Sequence, residues 1–496
     1  MLTAAAWLRG AEYDEQYTLF LTAGVARPDW PAGVFPAGTI AAVQAGHAGF
    51  TGIAQDLRAT DVHPPFYFWA VSLWRTVFGP GLFAVRLFSV VCGTISLWLT
   101  GRIASRCGIR PATAMLLLLG CYGFVYTNAI ARGFAPAQAL TLCGVCLLPG
   151  RHRVLAGICL GAACCCNYLA VFVSVAAVVA TGAWAAVPGA IPFLALDAWF
   201  FAAQHASRSG QFPPFDIWRG LTRLAQYQTG AVFGGLPLYA DGIARIAIGA
   251  AIGLVSAGLV AAVSMVRPMR AGAELRTIVA GAIAPPLGLL MLGAVFNNTP
   301  IELRYLSFGL PFVALLAAWR FGSDNPGVRH ACSPGPGTGK SSVAEPAPVP
   351  AWAWTRQRAR GFCVPLSVVA AIQIASIAGL LIAPRTMQPA RAAAVAAAGL
   401  VADGVVLVPR GNDSVGIPGA FGIEAPASLP IRLIRPDDRV ATILAQYRRV
   451  TLAELTQDSD STAAVALWRA ALSGPDWRRV AIGSSVEVFE RNGAGE

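Results

Sequence analysis

The stretch "GLFAVRLFSVVCGTIS", Gly81 to Ser96, decides the fold. Its single charge is Arg86, and apolar residues continue to about position 100. A run of roughly 20 such residues crosses the hydrocarbon core of a bilayer. Similar runs recur along the chain, and we read spans at 83–100, 112–128, 134–149, 153–166, 168–186, 189–204, 243–266, 277–296, 303–320 and 362–383. The composition agrees. The chain has 496 residues, of which 56% are hydrophobic and only 12% charged, about half the roughly 25% charged share of a soluble domain. Mean hydropathy is +0.59. The sequence therefore predicts a mainly α protein, a polytopic membrane helical bundle.

The net charge of +12 is a topology signal and excludes nucleic acid as a partner. Lys340 is the sole lysine, and the arginines sit in short segments between apolar runs. Arg102, Arg106 and Arg110 form one set; Arg151 and Arg153 a second; Arg267, Arg270 and Arg276 a third. Arg320, Arg329, Lys340, Arg356, Arg358 and Arg360 form the last. Ten alternating spans put all four sets on one face, which the positive-inside rule makes cytoplasmic. The opposite face receives 1–82, 129–133, 205–242, 297–302 and 384–496. The stretch 63–79, "HPPFYFWAVSLWRTVFG", is short and interrupted by Arg75. If it spanned, the later arginines would point outward, so it reads as a helix at the outer interface with Trp69 and Trp74 at headgroup level.

These assignments divide the chain into an outer acidic loop with juxtamembrane helices (1–82), a transmembrane core (83–320), a cytoplasmic linker rich in Pro and Gly (321–361), a last transmembrane helix (362–383) and an outer domain (384–496). In that last part "GVVLVP" (404–409), "IRLI" (431–434), "RRVTLAEL" (448–455) and "VAIGSSVEVFE" (480–490) read as strands, and "TAAVALWRAAL" (462–472) has helical periodicity. This is a small C-terminal α/β extramembrane domain. The linker's "GPGTGKSS" (335–342) is not a P-loop, because Pro334 stands where the first glycine belongs. The 11 cysteines show no metal-ligand spacing and suggest no disulfide framework.

The outer face gathers the chemistry. "AEYDEQYTLFLTAG" (11–24) clusters Glu12, Asp14 and Glu15 at the edge of an apolar chain. Arg132, in the outer turn 129–133, and Arg304, at the start of a span, stand where arginine is disfavoured. An arginine so placed implies an anionic partner, and the planar guanidinium suits phosphate. For Arg304 the alternative partner is Glu302. Arg86, near the outer end of its span, either snorkels to the surface or reaches the same phosphate. Asp61 and His63 precede Pro64–Pro65, which restrict the chain at a helix entry. A lone histidine is poor evidence for a metal.

"YDEQYT" (13–18), "DVHPPFYF" (61–68), "GLFAVRLFSVVCGTIS" (81–96), "NAIARGFAPA" (128–137) and "ELRYLSFGLPFVALLAA" (302–318) follow in order on one side of the membrane. Together they resemble the polytopic GT-C glycosyltransferases, including protein O-mannosyltransferases and aminoarabinose transferases of the family 39/83 type. The resemblance covers about 1–383. It implies inverting transfer from a sugar on a polyprenyl phosphate to a lipid, glycan or protein acceptor, on the periplasmic face of a bacterial inner membrane. It also implies Asp14 as general base. Glu15 is expected to orient Asp14 or bind the acceptor, and Glu12 to be solvated. Asp61 would set the acceptor side, His63 would hydrogen-bond the donor phosphate or Asp14, and Arg132, Arg304 and Tyr305 would meet the phosphate. The elementary chemistry agrees. An acceptor hydroxyl needs a base, developing phosphate charge needs fixed cations, and a phosphate leaving group needs no general acid. No cofactor is implied, and a divalent cation is left open. A transporter or flippase of lipid-linked sugar would show repeats and mid-membrane polar residues; a non-catalytic envelope-glycan assembly protein on the same scaffold is a further alternative. The enzymes resembled have a span before the acidic loop, whereas "MLTAAAWLRG" (1–10) is too short to cross, so a first helix is expected upstream. The 205–242 segment reads either as a lid over the site or as a surface amphipathic stretch.

Overall fold

The computed structural model describes residues 1–204, 212–234, 242–244, 246–247, 249–250, 253, 272–322, 367, 369–382, 388–401 and 404–492. It is mainly helical. The chain opens with α1 (Leu2–Leu8), α2 (Tyr13–Ala23), a short strand β1 (Phe35–Pro36), α3 (Gly38–Gln44), α4 (Phe50–Thr60) and α5 (Phe66–Phe78). The apolar bundle follows: α6 (Leu82–Arg106), α7 (Pro111–Gly120), α8 (Tyr122–Asn128), α9 (Phe134–Leu147), α10 (Arg153–Cys166), α11 (Ala170–Thr181) and α12 (Val187–Ala203). It continues through α13 (Ile217–Phe233), α14 (Ala273–Phe296), α15 (Leu310–Gly322) and α16 (Val369–Ile382). The expected span 243–266 and the linker 321–361 lie almost wholly outside the described residues, as do the ends of 205–242.

Among the described residues, three segments are long and apolar enough to cross a membrane: Leu82–Arg106, Trp184–Ala203 and Ala273–Phe296. Their outward faces say what surrounds them. Val91, Ile95 and Trp98 are exposed at helical spacing on α6, and Ile283, Leu287, Met291 and Val295 on α14. Water would penalise such continuous apolar stripes, whereas lipid does not. The inward faces use small residues and close packing, with α10 set between α9 and α12 and α11 against α14. These apolar helices support a membrane location.

Three of the expected runs are not single continuous α-helices. The run 112–128 is broken at Cys121, whose backbone is extended, so α7 and α8 are separate helices. The break is accommodated because Gln373 on α16 donates to the Leu117 carbonyl at 3.2 Å. The run 168–186 ends at Gly182 in the left-handed region, and a 3₁₀ turn (Trp184–Ala186) leads into α12. The run 303–320 begins as a 3₁₀ helix, Leu303–Gly309, before α15. The stretch 63–79 does form a helix, α5, but Arg75 is buried, donating to the carbonyls of Leu19, Gln44 and Gly46.

The C-terminal part contains α17 (Ala390–Leu400), β2 (Val405–Pro409), α18 (Gly416–Glu424), β3 (Pro430–Ile434), α19 (Val440–Leu444), β4 (Arg449–Ala453), α20 (Ser459–Leu472), β5 (Trp477–Gly483) and β6 (Val486–Arg491). The sheet order is β1-β3-β2-β4-β6-β5. Strands β3, β2 and β4 are parallel and β6 and β5 antiparallel. The run 480–490 is a hairpin turning at Ser485, which has a positive φ of 58°. Strand β1 comes from the N-terminal segment and pairs Phe35 with Ile431. A boundary at 384 therefore leaves one edge strand out, and α2 and α3 pack directly on α18.

Candidate active site

Helix α2 begins with a capping box. The Glu12 side chain accepts the backbone N–H of Glu15, and Glu15 Oε2 accepts the Glu12 N–H at 3.0 Å. Two orphan donors at the helix start are thus satisfied. This geometry fixes which way the acids point. Glu12 is not solvated as the sequence suggests: it is 3% exposed and pairs with the buried Arg9.

Glu15 and Arg86 also have another place than expected. Arg86 donates Nε and Nη2 to Glu15 at 2.7 and 2.5 Å, and its remaining N–H groups to the carbonyls of Ala6, Arg9 and Gly10. All five donors of the guanidinium are used. Glu15 also accepts the Ala131 N–H at 2.7 Å, so its four acceptor positions are filled. Burial alone would raise the Glu15 carboxyl, but the Arg86 charge and these donors hold it below the ordinary carboxylate range. Neither group has hydrogen-bonding capacity left for a substrate. Together they tie α2, α6 and the turn 129–133 into one frame.

That frame presents Arg132. The turn packs so closely that a Cβ on Gly133 would collide with the Cys166 carbonyl, and Thr18 Oγ1 holds the Ala131 carbonyl at 2.8 Å. Arg132 Nη1 donates to the Asp14 carbonyl at 3.1 Å, and Nη2 donates to His63 Nε2 at 2.9 Å. With Nε2 accepting, His63 Nδ1 carries the proton and donates to Asp61 Oδ1 at 2.7 Å. Burial would raise Asp61, but His63 and Arg132 hold it well below the carboxylate range. Its second oxygen, Oδ2, is buried and accepts no hydrogen bond from the described residues.

Arg304 arrives from the other side, on the 3₁₀ helix after an extended Glu302. Its Nη1 pairs with Asp14 Oδ2 and its Nη2 with Glu302 Oε2 at 2.6 Å. Tyr305 lies with its ring 5.4 Å from the same guanidinium. One cation thus serves two carboxylates. Pairing with Arg304 alone would draw Glu302 down, yet burial dominates and pushes it up to about 7, with Arg223 too weak to reverse the shift.

The two arginines that break the charge pattern therefore converge on one residue, Asp14. The structure brings Asp14, Asp61, His63, Arg132, Arg304 and Tyr305 into one cluster, and places Glu15 and Arg86 behind it. Glu302 is a full member that the sequence marked only as an alternative partner for Arg304. Among the described residues, no group of three or more His, Cys, Asp or Glu side chains is placed to hold a metal ion.

This bundle, with its acidic opening segment and C-terminal α/β domain, shares its fold with a membrane protein of known structure. In particular, it matches the crystal structures of ArnT from Cupriavidus metallidurans. The apo structure matches with a TM-score of 0.50 at 13% identity, over 97% of this chain and 93% of that one. The structure bound to undecaprenyl phosphate matches with a TM-score of 0.51 at 12% identity, over 98% and 95%. No family model and no curated protein sequence matches the chain.

Proposed function

We propose that the chain is an integral-membrane inverting glycosyltransferase that takes its sugar from a polyprenyl-phosphate donor. The observation that carries this reading is the convergence of Arg132 and Arg304 on Asp14. A carboxylate base beside two cations is what the reaction requires: the base takes the acceptor's proton, and the cations receive phosphate charge. The fold shared with a protein that binds undecaprenyl phosphate supports the donor class.

In the reaction, Asp14 takes the proton of an acceptor hydroxyl as its oxygen attacks the anomeric carbon. The bond from that carbon to the phosphate oxygen breaks on the opposite face, and the polyprenyl phosphate leaves with the electron pair. Arg304 pairs with Asp14, so a donor phosphate that binds Arg304 takes the place of that carboxylate. That exchange frees Asp14 to act as a base when a donor is present. Asp61 Oδ2 offers an acceptor site for a hydroxyl, while Asp61 fixes His63 and His63 fixes Arg132. Glu15 and Arg86 act as positioning residues.

The acceptor is a lipid, glycan or protein, and the site faces the periplasm from a bacterial inner membrane. In a background lacking native cysteines, Asp476→Cys should label from outside intact cells and Arg151→Cys should not; the reverse would invert the topology. Incubating the purified protein in lipid with radiolabelled polyprenyl-phosphate sugars and envelope extract tests the activity. Labelled acceptor that vanishes with Asp14→Asn is expected. Equal transfer by both proteins would remove Asp14 as base.

A further inference from the structure

The helix that carries Asp14 is gripped by the outer α/β domain at one carboxylate. Asp413 lies in the loop between β2 and α18 and is buried. Its Oδ1 accepts the backbone N–H groups of Val415 and Gly416 at 2.8 and 3.3 Å. Its Oδ2 accepts the phenol hydroxyls of Tyr13, at 2.5 Å, and of Tyr17. Residues at i and i+4 share one helix face, so the two tyrosines put a single side of α2 against this loop. They flank Asp14 in sequence, one residue before it and three after.

The surrounding contacts belong to the same device. Gly416, Gly419 and Gly422 line one face of α18, and a Cβ on each would collide with α2 or α3: with the Tyr13 ring, with Gln16 and Phe20, and with Ile40. The absence of those Cβ atoms is what lets the helices approach. Ser414 adopts a left-handed φ of 63°, and its carbonyl accepts Trp30 Nε1 at 2.7 Å. Arg27 bridges the Asp413 carbonyl, at 3.2 Å, and the Thr60 carbonyl, at 3.0 Å. Thr60 precedes Asp61. The Arg132 guanidinium sits 5.9 Å from the Tyr17 ring centroid. The loop thus reaches both halves of the cluster, the Asp14 helix directly and the Asp61–His63 segment through Arg27.

We propose that Asp413 is a positioning residue for transfer: through Tyr13 and Tyr17 it sets the placement of α2, and hence of Asp14 against Arg304 and the acceptor. The outer domain is then a working part of the active site rather than an appended module. This inference rests on the glycosyltransferase reading for its kinetic consequence and on packing alone for its structural one.

The test uses the full-length protein in lipid nanodiscs, with Asp413→Asn, the pair Tyr13→Phe/Tyr17→Phe, and all three changes together. Two measurements are made. Hydrogen exchange of the 13–23 amides reads the placement of α2 independently of activity, and transfer kinetics read kcat and KM for the donor. Faster exchange across 13–23 is expected in each variant. So is a fall in kcat from about tenfold to about 10²-fold, the cost of a displacement approaching 1 Å, with KM for the donor little changed. The triple variant should lose no more than Asp413→Asn alone, because one contact is removed by either route. Wild-type exchange and kcat in Asp413→Asn overturn the proposal, as does a triple loss equal to the product of the separate losses. If exchange rises but wild-type protein itself transfers no sugar, the positioning stands and the glycosyltransferase reading fails.

Discussion

Replacing Asp14 with Asn should separate donor binding from turnover in opposite directions. Asp14 pairs with Arg304, so the carboxylate and an incoming donor phosphate compete for the same guanidinium. The pair is mostly buried, with the Arg304 side chain 13% exposed and Asp14 19%. Exposed ion pairs contribute about 0.2–1 kcal/mol, and breaking a buried one costs about 3–5 kcal/mol. A partly buried pair whose cation keeps a second partner, Glu302, falls between these ranges, at about 1–2 kcal/mol. Asn keeps the shape and removes the competing charge, so the affinity for undecaprenyl phosphate should rise by about 5-fold to 30-fold. Turnover should fall by about 10²–10⁴, because the proton acceptor is gone. Binding is measured by titrating undecaprenyl phosphate into wild-type and variant protein in nanodiscs, with the bound fraction read by native mass spectrometry. Unchanged or weaker binding by Asp14→Asn would refute the competition. Normal turnover would refute the base.

Arg304→Ala should weaken undecaprenyl phosphate binding at least tenfold in the same titration, and Arg304→Lys should recover part of it, since a point charge lacks the planar fork. Glu302 is raised from its ordinary value to about 7 by burial. Below that pH it is neutral and leaves Arg304 less contested, so wild-type lipid affinity should decline from pH 6 to pH 8, and Glu302→Gln should flatten the decline. The sign for stability follows from the same shift: a raised carboxyl favours the protonated folded form, so its ionisation costs stability as pH rises from about 4.5 through 7, and Glu302→Gln should reduce that loss in thermal unfolding. Arg86→Ala should act on folding, because it strands Glu15 uncompensated in the interior. A cost of about 3–5 kcal/mol is expected, read as a large drop in melting temperature; a well-folded variant with weakened lipid binding would restore Arg86 to the donor site.

The parts legible in the sequence were those governed by local pattern or by cost. Apolar runs mark helices because burial of any charge in them is expensive, and Arg132 and Arg304 stood out because arginine is disfavoured where they lie. The strands 405–409, 430–434 and 449–453 could be read from β-branched runs. What stayed hidden was pairing across long sequence separations. Arg86 meets Glu15 across 71 positions, and Tyr13 meets Asp413 across 400. No local signal distinguishes Glu12, buried on Arg9, from an acid in solvent. The break at Cys121 escaped because a hydropathy pattern does not register one extended residue, with the Leu117 carbonyl in the turn before it met by Gln373. The Tyr13–Tyr17 spacing and the glycines at 416, 419 and 422 were visible, but only the fold shows that they face one another.

The exchange of partners at Arg304 is tested most directly by a structure of the protein in nanodiscs with undecaprenyl phosphate bound. Phosphate oxygens within hydrogen-bond distance of Arg304 and Arg132 are expected, with the Asp14 carboxylate released from Arg304. A lipid phosphate bound elsewhere, with the Asp14–Arg304 pair intact, would contradict it.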